Sequence, residues 1–321
     1  MPHPSTSLAT LRPELGGSLM EFDLAADRMR YIGHRIFPRM SVGKPSGTFG
    51  RIPIEQLLQT PDDARAPGSA FNRGKWTFEE HSFTCSQKGW EEPVDDVESS
   101  IYSDYFDAEQ VSTQRAMGIV TRNMEKRIAA KVHDTTVYTP TGVGTAWSDH
   151  ANATPLDNIE TLVLAVYNTT GLWPNAIQMN RLQFRHLRRC VQVKDEVASN
   201  GAGESSTVRK INEQKIAELV DLDHVLVAGG SDSTAPQGLD VSIGQIWSNS
   251  YVWVGRIATT NDIQEPCVGR TFHYDEFSDN GEPVVESYRD ETIAGDVVRV
   301  RNFADENRIH EEAGGLLSGV I

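Results

Sequence analysis

The stretch that decides the fold is Asp104–Val132, DYFDAEQVSTQRAMGIVTRNMEKRIAAKV. Its apolar residues Met117, Val120, Met124 and Ile128 recur at steps of three and four, the spacing of one face of an α-helix. Acidic residues stand at its start and basic residues near its end, an order that complements the helix dipole. The pattern therefore predicts one helix of about 40 Å, far longer than the ~12 residues typical of globular domains.

Upstream of this helix, residues 46–94 contain two strand-like runs, Thr48–Leu58 and Lys75–Gln87. Between them lies TPDDARAPGSAFNRG, whose Gly, Pro, Asp and Asn residues are typical of loops. The segment predicts a long β-hairpin with little core of its own. Because an isolated two-stranded hairpin is barely stable in water, we expect this one to pack on something outside its own domain.

The N-terminal residues 1–45 contain five prolines and more basic than acidic side chains. Proline interrupts regular structure, so this segment predicts an extended arm with at most one helix.

Downstream of the long helix, residues 151–270 alternate helical and short apolar segments. Thr154-Pro155 predicts the start of a helix. Buried strands are predicted at Ala176–Met179 and His224–Ala228, and a basic helix at Leu182–Cys190. Alternation of this kind predicts a compact α/β unit.

The last third of the chain is rich in β-strand signals. A turn at Ser278–Gly281, with Asn-Gly at its end, predicts a hairpin between Arg270–Phe277 and Pro283–Asp290. Asp296–Asn302 reads as a further strand, and the glycine-rich final residues read as weakly structured. The fold class expected from the whole chain is α+β.

The charge of the chain excludes one class of function. Its 321 residues carry 45 Asp and Glu against 30 Lys and Arg, a net charge of −15. Recognition of nucleic acid needs clustered basic side chains, so such a surface is not expected. The hydrophobic content of 38% is enough for a folded core. The absence of an apolar run of about 18 residues, and of a secretory signal, argues against membrane insertion and export.

Catalytic and metal-binding motifs are absent from the sequence. There is no GxGxxG, GxxxxGK[ST], HExxH, CxxC or GxSxG pattern, and the three cysteines are widely spaced. We therefore predict no catalytic residue, no metal, no cofactor, and half-buried thiols in a reducing compartment. Carboxylates that converge only in space leave one alternative open, an α+β hydrolase with an unrecognised acid pair.

The order of these segments resembles the major capsid proteins of tailed bacteriophages, of the Hong Kong 97 type. The resemblance covers nearly the whole chain and is carried by several short stretches in order. These are the DARAPGS hairpin (Asp63–Ser69), Trp173-Pro174-Asn175-Ala176-Ile177, Val225-Leu226-Val227 with Ala228-Gly229-Gly230, Ile246-Trp247 with Tyr251-Val252-Trp253, and Arg270-Thr271-Phe272.

The resemblance implies a division of the chain into four parts. Residues 1–45 would form the N-terminal arm, and residues 46–94 an extended loop lying across a neighbouring subunit. Residues 95–150 and 271–321 would form the peripheral domain, with a spine helix at about 104–132. Residues 151–270 would form the axial domain, which meets its copies at the centres of hexamers and pentamers.

The resemblance also implies a function and partners. The chain would be a non-enzymatic subunit of an icosahedral shell that encloses double-stranded DNA, assembled in the bacterial cytoplasm and carried in the virion. Because there is no room for a scaffolding segment ahead of the arm, we expect a separate scaffolding protein, a portal and, optionally, a decoration protein. An encapsulin-type compartment shell is the alternative with the same fold.

Residues expected at contacts between subunits lie in the hairpin and in the basic helix. The acidic balance also predicts an inner surface that is acidic or neutral, so that DNA is contained without adhering. The predicted contact residues are Arg51, Arg65, Pro67, Lys75, Trp76, Phe78, Arg185, Arg188 and Arg189.

Overall fold

The computed structural model describes residues 10–11, 30–51, 53, 56, 58–75, 77, 79–102, 107–199, 211–235, 238–240, 242–262, 265–277 and 281–321. Most of the predicted N-terminal arm, together with Trp76 and Phe78, lies outside these residues.

The helices in the described part of the chain are α1 Gly33–Ile36, α2 Asp96–Tyr102, α3 Ala108–Val132, α4 Pro155–Thr170, α5 Arg181–Leu187, α6 Val191–Ser199 and α7 Glu213–Val220. The strands are β1 Thr10–Leu11, β2 Arg39–Val42, β3 Ser46–Arg51, β4 Glu79–Thr84, β5 Ser86–Asp95, β6 Thr141–Gly142, β7 Ala176–Asn180, β8 His224–Ala228, β9 Ser231–Ser233, β10 Ile243–Gln245, β11 Tyr251–Gly255, β12 Gly269–Tyr274, β13 Val284–Asp290, β14 Gly295–Arg308 and β15 Gly314–Ser318.

The long helix predicted from the sequence is α3. Asp107 caps it by accepting hydrogen bonds from the amides of Glu109 (3.0 Å) and Gln110 (3.4 Å). Its 25 residues span about 37 Å. The predicted apolar stripe is buried along its whole length.

Two sheets share α3 as their common support. Sheet I has the order β1-β13-β14-β12-β2, with β5 also paired to β14, and its apolar face covers the first half of α3. Sheet II has the order β6-β15-β11-β7-β8, and one of its faces covers the second half of α3 and α1. The other face of sheet II packs against α4, α5, α6 and α7. The helix is long because it contributes to two cores.

The predicted hairpin between Arg270–Phe277 and Pro283–Asp290 is wrong. The strands β12 and β13 do not pair with each other, because both pair with the 14-residue strand β14. At Ala304, β14 pairs with Ser86 of β5 and with His273 of β12, so these two strands flank opposite edges. Strands β13 and β12 therefore follow one another along the same edge of β14.

Two other local expectations change. The predicted strand Lys75–Gln87 is divided at the buried residue Cys85, after which the chain leaves the hairpin and enters sheet I as β5. The glycine-rich end of the chain is ordered as β15, paired with β11 and β6 in sheet II. The three cysteines are free and are buried rather than half-buried as predicted.

Candidate interaction surfaces

The hairpin formed by β3 and β4 is anchored to sheet I by aromatic side chains. The rings of Phe49 and Phe83 lie 5.7 and 4.9 Å from the ring of Phe272, which is buried on β12. Cys85 and Ile309 complete this small cluster. The hairpin is therefore held at its base, and the part of its outer connection that the structure describes, residues 58–75, is exposed.

Arg51 clamps the base of the hairpin to the connection between β14 and β15. Its side chain is only 10% exposed, and it donates to the carbonyl of Ile309 (2.7 Å) and to Glu312 (2.9 Å). Its Nε also lies 3.2 Å from Glu79. These bonds engage the guanidinium within the chain and fix the base of the hairpin.

The outer part of the hairpin, residues 58–75, is exposed throughout. It is shaped by bonds within itself: Asn72 donates to the carbonyl of Asp62 (2.7 Å), and Arg65 donates to the carbonyl of Ser69 (2.6 Å). Ala66–Ser69 forms a tight turn in which Gly68 has φ +85°, a conformation that favours glycine. The loop buries little apolar surface, although the side chain of Leu58 lies against Gly171 at the end of α4.

An exposed aromatic residue marks the tip of this loop. Phe71 is 68% exposed, and the guanidinium of Arg65 lies 4.6 Å from its ring centroid. Pro67 and Lys75 are also exposed. The predicted contact residues Arg65, Pro67 and Lys75 are thus brought together on one protruding segment.

The second group of predicted contacts lies on and just after α5. Arg185 and Arg189 are exposed, whereas Arg188 is half-buried, with its guanidinium 4.9 Å from the ring of Phe184. Arg181, exposed one turn before Arg185, belongs to the same face and was missed by the sequence reasoning. The four-residue spacing of Arg181, Arg185 and Arg189 is the signal that could have identified it.

These arginines differ from most others in the described part of the chain. Elsewhere ten described arginines meet carboxylates, in the pairs Arg30–Glu213, Arg39–Glu282, Arg51–Glu312, Arg115–Glu92, Arg127–Glu306, Arg270–Glu265, Arg289–Asp96, Arg299–Glu286, Arg301–Glu286 and Arg308–Asp134. Arg35, Arg73, Arg122, Arg188 and Arg256 form no such pair with a described residue. Among the described residues, no carboxylate lies within ion-pair distance of Arg65, Arg181, Arg185 or Arg189. Their charges are available to a partner.

A histidine pair accompanies the basic helix. The Nε2 atom of His150 and the Nδ1 atom of His186 are 3.0 Å apart, and their rings are stacked. Burial lowers the pKa of His186, and the nearby His150, Arg189 and Arg185 lower it further. At neutral pH His186 therefore adds little to the positive charge that the arginines give this surface.

The buried carboxylates are engaged by donors rather than facing a cleft. Glu286 lies between Arg299 (2.6 Å) and Arg301, and these partners keep its pKa lowered although burial opposes it. Glu306 is held in the same way by Arg127 (2.8 Å) and Lys88 (3.0 Å). These contacts are those of structural ion pairs.

An open groove on sheet I offers little for hydrolysis. Its described lining residues are Gln87, Gly89, Trp90, Glu91, Arg299 and Arg301, and they include a single carboxylate. Hydrolysis of a glycosidic bond by paired acids needs two. No group of three or more metal-ligating side chains is present among the described residues. Within the same residues, no helix is both long and apolar enough to cross a membrane.

Comparisons with known proteins give similarity in structure only. No protein-family model and no curated protein matches this chain. A phage-related protein from Bordetella bronchiseptica RB50 is 19% identical with a TM-score of 0.70, covering 97% of this chain and 98% of that one. The capsid of the cyanophage P-SCSP1u is 8% identical with a TM-score of 0.59, covering 88% of this chain and 86% of that one.

A third similar structure comes from an archaeon. A virus-like particle from Pyrococcus furiosus is 9% identical with a TM-score of 0.56, covering 95% of this chain and 98% of that one. Each of these likenesses extends over most of both chains, so they concern the whole architecture and not one motif. The chain therefore has the capsid fold of the Hong Kong 97 type, as its sequence resemblance implied.

Proposed function

We propose that this chain is a major capsid protein, a structural subunit that assembles into the hexamers and pentamers of an icosahedral shell around double-stranded DNA. The observation that carries the proposal is the outer hairpin, residues 58–75, which is ordered by its own hydrogen bonds yet exposed along its whole length. A hairpin whose outer connection is exposed in this way gains stability by lying on a neighbour.

The proposed parts follow the order expected from the sequence. The proposed division is into four parts: the arm (1–45), the extended loop (46–94), the peripheral domain (95–150 and 271–321) and the axial domain (151–270). Sheet membership supports two adjustments, since β5 pairs within sheet I and β15 pairs within sheet II. On this basis the extended loop ends near Cys85, and the last strand belongs with the axial domain.

The chain acts in this proposal without catalysis or a cofactor. Its partners are further copies of itself, a separate scaffolding protein and a portal during assembly in the bacterial cytoplasm, and optionally a decoration protein in the virion. The net charge of −15 suits a wall that contains DNA without adhering to it. Arg51, Trp76 and Phe78 stay proposed contacts of the hairpin.

The test is assembly of the full chain, with and without a co-produced scaffolding protein, followed by electron microscopy of purified particles. Closed shells containing hexamers and pentamers support the proposal. Shells that hold a cargo enzyme and no DNA, also when isolated from infected cells, would favour an encapsulin-type compartment instead. A monomer under all conditions, with a hydrolytic activity, would contradict both.

A further inference from the structure

The helical layer on sheet II has two ends of opposite charge. Strands β7 and β8 are parallel, with Ala176 opposite His224 and Asn180 opposite Ala228. Helix α5 begins directly after β7, so its arginines lie beyond the carboxyl end of this strand pair. Helix α7 ends just before β8, so Asp221 and Asp223 lie at the amino end of the same pair. Five residues of strand, about 16 Å, separate the two ends.

The basic end consists of one helix face and the residues that follow it. Arg181, Arg185 and Arg189 are exposed at four-residue spacing, with no carboxylate among the described residues within ion-pair distance. Arg181 and Arg185 are unpaired cations one turn apart on α5, and Arg189 follows just after it. Their repulsion disfavours this helix in an isolated chain. An anionic partner would remove that cost.

The acidic end carries the complementary charge. Glu218 is 63% exposed and meets Lys215, three residues before it on the same helix. Asp221 and Asp223 are exposed, with no cation among the described residues within ion-pair distance. A contact with Arg181, Arg185 or Arg189 of the same chain is prevented because β7 and β8 lie between the two ends.

We propose that the basic end of one copy binds the acidic end of the next, so that Arg181, Arg185 and Arg189 face Glu218, Asp221 and Asp223 around a ring. The inference rests on the proposed function and names the surfaces that join the subunits within a capsomer. Two different patches that bind head to tail form a heterologous contact, and such contacts close into rings when the rotation allows. One contact of this kind serves both five and six copies.

A polyanion such as DNA is the competing occupant of the arginine face. The observations favour a second copy, because the unpaired acids of the same layer match the unpaired arginines. DNA would leave the acidic end without a partner and would be repelled by it.

The experiment reverses each end separately in the full chain. Variant one is Arg185→Glu with Arg189→Glu, variant two is Glu218→Arg with Asp223→Arg, and variant three combines all four changes. We expect variants one and two to reduce the yield of particles at least tenfold and variant three to restore most of it. Arg35→Glu with Lys44→Glu, two exposed positions outside both ends, controls for the change in net charge.

Mixing variants one and two gives a sharper result. Copies with two acidic ends bind only copies with two basic ends, so the rings must alternate and contain an even number of subunits. The mixture should form hexamers, and from them sheets or tubes, but no pentamers and no closed shells. Circular dichroism and thermal unfolding of the subunits confirm folding, and Arg185→Gln with Arg189→Gln gives a milder variant that should assemble less well than the wild type.

Several outcomes would overturn the inference. Normal shells from variant one or variant two would do so. A folded variant three that does not recover the yield of particles would also do so. So would an arginine variant that assembles normally and loses only DNA binding. If the wild-type chain forms shells while the variants give any of these results, the proposed function is still supported and only the proposed contact is wrong. A wild-type chain that never forms particles would contradict both the proposed function and the contact between the two ends.

Discussion

The carboxylate of Glu125 accepts a hydrogen bond from the indole N–H of Trp247 at 2.6 Å, although 122 positions separate the two residues in sequence. The same carboxylate accepts from the backbone amides of Ile32 (2.9 Å) and Gly33 (2.8 Å) at the start of α1. One buried side chain of α3 therefore fixes both the start of α1, within residues 1–45, and the loop that leads into β11.

Replacing Glu125 with Gln should destabilise the subunit. Glutamine has one acceptor oxygen, and its NH₂ group would face N–H donors, so at least one buried donor loses its partner. We expect a loss of about 1–3 kcal/mol in the free energy of unfolding. Urea unfolding of unassembled subunits measures it, and amide exchange at Ile32 and Gly33 should become faster.

The exposed Glu98 on α2 provides a matched control for this substitution. Glu98→Gln should change stability by less than about 0.5 kcal/mol. Equal effects of the two substitutions would show that the three hydrogen bonds at Glu125 contribute nothing measurable.

Glu265 should make the loop between β11 and β12 sensitive to acid. Burial alone would raise the pKa of Glu265, but hydrogen bonds from the amides and hydroxyls of Thr259 and Thr260 outweigh burial and lower the pKa to about 2. The lowered pKa means that the folded chain prefers the carboxylate. This stabilisation is complete above about pH 5 and is lost as the pH falls towards 2.

The variant Glu265→Gln removes this dependence. At pH 7 the wild type should exceed the variant by about 1–3 kcal/mol in the free energy of unfolding, and the gap should narrow as the pH falls to about 2.5. Chemical unfolding at a series of pH values tests it, with the exposed Glu160→Gln as control. A gap that stays constant with pH would contradict the assigned role of the carboxylate.

Arg51→Lys should loosen the base of the hairpin. A lysine ammonium cannot reach the Ile309 carbonyl, Glu312 and Glu79 in the forked geometry of a guanidinium. We expect a cost of about 1–2 kcal/mol and faster amide exchange in β3 and β4. Arg73→Lys, in the exposed loop, should leave both quantities unchanged. If Arg51→Lys also leaves the free energy of unfolding and the amide exchange unchanged, the bonds of Arg51 do not hold the base of the hairpin in place.

The local sequence pattern predicts those elements whose burial follows from the spacing of their own apolar residues. The stripe of α3 and the apolar strands β7 and β8 were predicted because each is buried as a periodic or continuous apolar run. The insertion of β14 between β5 on one edge and β13 with β12 on the other depends on pairings between distant segments, which alternation within each strand does not reveal.

The end of the chain illustrates the same limit. Gly314 and Gly315 read as flexible, yet they form part of a central strand. A Cβ at Gly314 would come within 2.7 Å of the Nε1 atom of Trp253, so the glycine is there to admit the tryptophan. At the candidate surfaces, the sequence pointed to the exposed Arg185 and Arg189 but not to Arg181, and it did not reveal the contacts of Arg51 within the chain. Its intramolecular acceptors lie more than 250 positions away, at Ile309 and Glu312.

The tip of the hairpin gives the most direct prediction for assembly. Phe71 is exposed and touches no apolar core, so Phe71→Ala should leave the stability of the isolated subunit within about 0.5 kcal/mol of the wild type. In a shell, an aromatic ring buried on a neighbour is typical of the residues that dominate binding, and its truncation commonly costs more than about 2 kcal/mol. Because each shell repeats the contact many times, the yield of particles should fall steeply while the subunit stays folded.

Light scattering during assembly and thermal unfolding of the subunit separate the two effects. The substitution Ala70→Ser, at the neighbouring exposed position, serves as the control. Undiminished assembly of Phe71→Ala would mean that the tip of the loop does not lie on a neighbouring subunit, whereas a destabilised subunit would mean that Phe71 packs within its own chain.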